Sequence, residues 1–243
     1  MKELSMRKIC LLFLAITSSV LCAAQTEIPD FSDEVPGSLT FDLGFNFFSD
    51  AADTASLKWF GSRTARITYQ YELPILKSGF SFNPGIGIAD ERYSFEKDIS
   101  IVNNVGSNRV ELISIDSING QPTDIKKTLL SALYLDIPLE LRWHANKNDY
   151  QKSFKIAAGV RGGLLLGGKT KIKYADIDND RKIKSKEDYN LASFRLGWHA
   201  RIGFGSFTVY YFQNITELFE NNRGPIEMDN TIPYQFGLTY EIF

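Results

Sequence analysis

The stretch Phe194–Asn214, FRLGWHARIGFGSFTVYYFQN, poses the question on which the fold turns. Apolar side chains take every second place from Phe194 to Phe204. Gly205 and Ser206 interrupt, and the alternation resumes at Phe207, Val209 and Tyr211. This is the pattern of two strands joined by a two-residue turn. A soluble sheet hides its apolar face in a core, whereas a membrane barrel turns that face to lipid.

The same period recurs along the chain. Leu39, Phe41, Leu43, Phe45 and Phe47 mark a first strand, and Ala65, Ile67, Tyr69, Tyr71 and Leu73 a second. Phe80, Phe82, Pro84, Ile86 and Ile88 mark a third, Leu133 to Trp143 a fourth, and Phe154 to Leu166 a fifth. Ile232, Tyr234, Phe236, Leu238, Tyr240 and Ile242 close the series as the eighth. Most of these runs approach the roughly 9–11 residues that a tilted strand needs to cross a bilayer. Pro84 and Pro138 fall inside strands, where a closed barrel has no edge for them, so local bulges are expected there.

The connections sharpen the choice. Short links (ILKS, HANKNDYQK and GS) alternate with long ones: SDAADTASLKWFG, Glu96 to Lys127, Lys169 to Tyr189, and Ile215 to Asn230. Such segregation predicts an all-β, eight-stranded, antiparallel up-and-down transmembrane barrel with short periplasmic turns and long outer loops. Both strand-series ends then fall on the periplasmic side. In the second long loop, VELISIDSINGQPTDI alternates around Asn119-Gly120 and predicts a hairpin above the membrane. Aromatic residues gather near both strand ends. Phe47, Trp59, Phe60, Tyr93 and Tyr174 lie toward the outer side; Tyr71, Phe80, Trp143, Phe204, Phe207, Tyr240 and Phe243 lie toward the periplasm.

Opposite the apolar set sit Asp42, Arg66, Gln70, Glu72, Asp136, Glu140, Arg142, Arg161, Arg195, His199 and Arg201, with frequent glycine. An eight-stranded barrel has an interior only wide enough for side chains. Arg66, Asp136, Glu140, Arg142, Arg161, Arg195, His199 and Arg201 are therefore expected to form a salt-bridged network that plugs the lumen. His144, at a periplasmic turn, has no evident partner in the sequence.

The chain of 243 residues carries a net charge of −2, which argues against a nucleic-acid partner. Residues 1–24 read as a secretory signal peptide: Lys2, Arg7 and Lys8, then the apolar run Ile9 to Ile16, then small residues up to Ala24. Residues 25–37, acidic and with two prolines, read as a periplasmic leader, leaving 38–243 as the barrel domain. Cys10 and Cys22 both lie in the signal segment, so no disulfide or thiolate metal site is expected beyond it.

FSFNPGIGIADERYSFEK followed by YLDIPLELRW, with a glycine-rich fifth strand and a C-terminal phenylalanine, resembles the PorT-like outer-membrane β-barrel proteins. The resemblance implies residence in the cell outer membrane, contact with its lipid, and insertion by the barrel-assembly machinery through a signal at Phe243. One group of that family serves protein secretion, which makes envelope or secretion-system proteins candidate partners.

Chemistry is sparse. In DIDNDRKIKSKE, Asp176, Asp178, Asp180 and Glu187 match positions 1, 3, 5 and 12 of a calcium loop, and Ile183 its apolar position. Arg181 stands where such loops need glycine, and Lys182, Lys184 and Lys186 add positive charge. A solvated charged loop is the competing reading. No nucleophile elbow, phosphate loop or zinc pair appears, so neither an enzyme nor a further cofactor is expected. Three functions stay open: a structural or surface-binding barrel acting through its outer loops, a component of a secretion or envelope assembly, and an exported lipocalin-like barrel with an apolar ligand in its lumen.

Overall fold

The computed structural model describes residues 37–243 except 77, 105, 107, 116, 119–120, 123, 147–151, 176–180 and 243. The predicted signal peptide, nearly all of the leader, and Phe243 therefore lie outside the described residues. The strands in chain order are β1 (Ser38–Ser49), β2 (Arg63–Gln70), β3 (Leu73–Ile75), β4 (Phe80–Ser94), β5 (Ile99–Asn103), β6 (Val110–Ser114) and β7 (Ser117–Ile118). They continue as β8 (Gln121–Pro122), β9 (Ile125–His144), β10 (Phe154–Tyr174), β11 (Arg181–Ser185), β12 (Phe194–Phe204), β13 (Phe207–Asn214) and β14 (Ile232–Ile242).

Eight of these, β1, β2, β4, β9, β10, β12, β13 and β14, pair with their neighbours in an unbroken antiparallel circuit. The seam is β1 on β14, from Leu39 opposite Ile242 to Ser49 opposite Ile232, so the barrel is closed. Closure leaves no row of unpaired backbone groups along the wall. β3 lies on β4 beside a short turn, and β11 lies on β10 in a long loop.

Period-two alternation now has a direction. One cross-strand row runs through Ala65, Leu43, Leu238, Val209, Ile202, Ile156 and Trp143. In it Leu43 is 66% and Leu238 62% exposed, whereas Arg66 and Arg195 on the opposite face are 1% exposed. The apolar face points away from the barrel axis and the charged face points in. A lipocalin-like cavity needs the reverse.

The structure departs from the sequence reading in four places. β9 and β10 run 20 and 21 residues, well beyond the apolar stretches that marked them. Lys169, Lys171 and Lys173 continue the alternation with charge in place of grease, so they read as loop. In the second long loop, VELIS pairs with Ile99–Asn103. A separate small hairpin pairs Ser117 with Pro122 and Ile118 with Gln121 around the predicted Asn119-Gly120 turn, whose own residues lie outside the described set. Pro84 and Pro138 do not form bulges. The β4–β9 ladder lapses between Pro84–Leu139 and Gly87–Asp136, two residues on each strand, and the register survives. A true bulge occurs elsewhere, between Leu165 and Gly167 of β10. Finally, Tyr93 faces inward, where its hydroxyl donates to Glu91 (2.7 Å) and its ring stacks on Phe48 at 4.9 Å; it is no girdle residue.

Aromatic contacts on the lipid-facing side remain, among them Phe47 with Tyr234 and Phe236 (5.3 and 5.2 Å) and Phe207 with Tyr240 (5.1 Å). A charge placed in mid-belt should be costly. Leu43→Arg is expected to lose about 2–4 kcal/mol in reversible guanidinium unfolding from lipid vesicles, whereas Leu43→Ile should change little.

Candidate functional site

Two candidate sites follow from this wall: the charged interior and the cap built by the long loops.

Inside, alternate residues of every barrel strand converge. Arg66, on β2, donates from Nε to Asp136 (2.9 Å), from Nη1 to Asp42 (3.0 Å) and from Nη2 to Gln235 (3.1 Å). Arg195, on β12, shares Asp136 (2.7 Å), also donates to Glu91, and lays its guanidinium 3.9 Å from the Tyr134 ring centre. Asp42 further accepts from Arg201 (3.1 Å) and from Thr239 Oγ1 (2.7 Å). Nearer the short turns, Arg142 bridges Glu140 (2.8 Å) and Glu241 (2.7 Å), and Glu241 accepts from Lys155 and from Ser38 Oγ (2.5 Å). His199 Nε2 lies 3.0 Å from Glu140. Arg161 stands apart: its nearest carboxylate is Asp42 at 3.8 Å, and its guanidinium faces the Phe212 ring at 5.1 Å.

All eight lumen residues named from the sequence thus meet on one inner face. Glycine makes that density possible at Gly163, where a Cβ would come within 2.6 Å of Arg195 Nε and 2.8 Å of Asp136 Oδ1. Sequence reasoning missed Glu91, Lys155, Gln235 and Glu241. Each is in phase with a buried, inward residue of its own strand: Glu91 with Ala89, Lys155 with Arg161, and Gln235 and Glu241 with Thr239. It also left His144 without a partner, whereas His144 Nε2 sits 3.1 Å from Glu72, which accepts from Ser81 (2.7 Å) as well. Buried charges require such pairing, since an ion stripped of water and left alone costs several kcal/mol (roughly 3–5 when one partner is removed). A cavity of about 10 Å³, lined by Arg142, Lys155, Ala157, Arg201, Thr208 and Glu241, has room for about one water.

Above the charged layer the interior becomes apolar. Tyr93, Leu130 and Tyr134 from the wall pack with Phe95, Ile99, Ile101, Val110, Leu191, Leu218, Phe219 and Met228 from the long loops. Backbone hydrogen bonds knit these loops: Ala52 to Glu227, Lys58 to Ser94, Val110 to Arg223, Ala192 to Leu218 and Glu220 to Asn190. On the cap lies a polar cleft of about 280 Å³ lined by Asn103, Asn104, Asn108, Arg109, Asn190 and Arg223. Asn190 holds two loops together by donating to the carbonyls of Asn108 (2.9 Å) and Arg223 (3.3 Å). Arg109 is anchored on Asp229 (2.6 Å) and Gly224 O (3.0 Å), and Arg223 on Glu220 (2.8 Å).

Of the calcium spacing, Asp176, Asp178 and Asp180 lie outside the described residues. Glu187 is described: it accepts from Asn103 Nδ2 and from Ser185 Oγ (3.2 Å). Arg181–Ser185, the middle of the spacing, is the extended strand β11. Among the described residues no three His, Cys, Asp or Glu side chains gather as a metal site.

A family model described as outer membrane protein beta-barrel domain matches residues 31–220. No curated protein matches the chain. Similar solved structures include Ail, the attachment invasion locus protein of Yersinia pestis, in complex with the heparin analogue sucrose octasulfate. It is 12% identical, with 86% of this chain and 100% of that chain covered and a TM-score of 0.35. They also include Neisserial surface protein A, 12% identical, with 85% and 96% covered and a TM-score of 0.41.

The lumen geometry ranks its members. Asp136→Ala orphans part of two guanidinium groups and should cost about 3–5 kcal/mol in unfolding experiments. Arg161→Met removes a cation without a close carboxylate and should stay within about 1 kcal/mol of the parent.

Proposed function

The chain belongs to the outer membrane protein beta-barrel domain family and resides in the outer membrane, and from that premise we propose that it is a non-enzymatic barrel that binds at the cell surface through its loop cap, with a plugged lumen. The observation that carries this reading is the cap itself. Long loops from four different strand pairs share one apolar core and present a cleft lined by side-chain amides and guanidinium groups. Loops that served only to join strands would not need such a core, and binding residues are disproportionately carried on loops held by a rigid scaffold. Amide and guanidinium groups together recognise hydroxyl-rich and carboxylate-bearing ligands, such as acidic sugars.

The plugged lumen is supported by the burial and pairing of Arg66, Asp136, Arg195, Arg142 and Glu241 across its width. Export by residues 1–24, insertion through Phe243 and the PorT-like subgroup belong to the same proposal. Their support is the sequence pattern of each segment. A role in secretion or envelope assembly is the second reading; the ordered cap would serve it as a protein-docking face.

Two measurements test the first reading. Protein reconstituted in planar bilayers should give no steady conductance steps; frequent open-channel steps would refute the plug. A thermal-shift panel of soluble acidic and neutral oligosaccharides should find ligands that stabilise the parent. Arg223→Ala and Asn190→Ala should weaken that effect at least about tenfold. A panel-wide absence of shift would refute sugar recognition at this cleft.

A further inference from the structure

Outside the cap, one face of the wall carries a charge pattern that neither the plug nor the cleft uses. β9, β10 and β11 extend as a three-stranded sheet beyond the apolar belt. Up to Leu166 the even-numbered residues of β10 face outward. The bulge between Leu165 and Gly167 inserts one residue, and beyond it the odd-numbered Lys169, Lys171 and Lys173 take the outward face. Directly paired residues of antiparallel strands share a face. Arg92 and Lys169 therefore flank Ser131 on one rung, Lys171 faces Lys184 on the next, and Lys173 lies between Lys127 and Lys182 on the third.

Like charges directly opposite each other destabilise a sheet. Arg92 is paired with Asp90 (2.5 Å), which also acts on Lys169. Among the described residues, Lys127, Lys169, Lys171, Lys182 and Lys184 have no carboxylate within ion-pair distance, and Lys182, Lys184, Lys127 and Arg92 all act on Lys171 and Arg63 and Lys58 on Lys127. Such a ladder calls for counter-anions from outside the chain. Its position says which. The ladder continues upward from exposed Leu133, Leu164 and Leu166 on the same outward face of the same strands. The rungs stand about 7, 14 and 20 Å along the strand from Leu133. Anions stacked at those heights beside a lipid-facing wall are the phosphates of lipid headgroups.

We propose that the Lys127–Lys169–Lys171–Lys182–Lys184 ladder is a binding surface for phosphorylated glycolipid of the outer leaflet. Acyl chains lie on the apolar belt and headgroup phosphates bridge the opposed ammonium groups. The site does not rest on the cleft or on the surface-binding reading.

The full barrel, folded in neutral detergent, is titrated with bisphosphorylated lipid A, with chemically dephosphorylated lipid A and with inorganic phosphate. Thermal stability and native mass spectrometry give the readouts. Bisphosphorylated lipid A should bind and stabilise the parent, and raised salt should weaken it. The triple variant Lys169→Gln, Lys171→Gln, Lys184→Gln should bind on the order of 100-fold more weakly. The corresponding triple arginine variant, which keeps the charge, should bind like the parent, and heat-modifiable gel mobility should show both variants folded. Equal binding of phosphorylated and dephosphorylated lipid would overturn the proposal, as would unchanged binding by the glutamine variant. A ladder-dependent response to inorganic phosphate as strong as that to the lipid would assign the surface to free phosphate and overturn the lipid source.

Discussion

The constraint on which everything else rests is that a backbone in hydrocarbon must satisfy its own amides and carbonyls. A sheet can do so only by closing on itself. Here the closing contact is the eleven-residue-deep register between the first and last strands, from Leu39–Ile242 to Ser49–Ile232. Once the sheet is closed with period-two strands, each side chain must face either lipid or the axis. With only eight strands the interior is little wider than the side chains that line it. The choice of arginine, carboxylate and glycine for the inner set follows from that: the inner face must be filled, and what fills it must neutralise itself.

The filling is organised in layers along the axis. Toward the short turns, Glu241 gathers Ser38, Lys155 and Arg142. In the middle, Asp42 and Asp136 each hold more than one guanidinium. Toward the long loops the charge gives way to Tyr93, Tyr134 and the aliphatic core of the cap. Tyr134 joins the two regimes, its ring lying against Arg195 on one side while it belongs to the apolar cluster on the other. The loops thus bury their own apolar residues together over the barrel mouth.

The wall was legible in the sequence because lipid imposes a strict rule: Leu43, Ile67, Val209 and Leu238 have to be apolar, and every second residue repeats the demand. The interior was partly legible. Arg66, Asp136 and Arg195 stand out as charges in apolar strands, but Glu91 lies beyond the apolar run that ends at Ile88, where no outward grease marks the period. The cap was not legible. Phe95, Ile101, Val110, Leu218 and Met228 have no period, and what unites them is contact between loops distant in the chain, as in the bond from Ala52 to Glu227. The charged extensions of β9 and β10 were missed for a related reason: a pattern search keyed to grease stops where lysine replaces it.

The bulge at Leu165–Gly167 has an implication for how this strand can change. It works like a shift of reading frame, since one supernumerary residue exchanges odd for even in everything that follows. Deleting Leu166 alone would leave every downstream amino acid in place, yet would send three ammonium groups toward the tyrosine-lined mouth and Thr170 toward the bilayer. The tolerance of this wall to insertions and deletions is therefore quantised: pairs of residues can be gained or lost without changing faces, single ones cannot, and the bulge is an odd step that has already been taken.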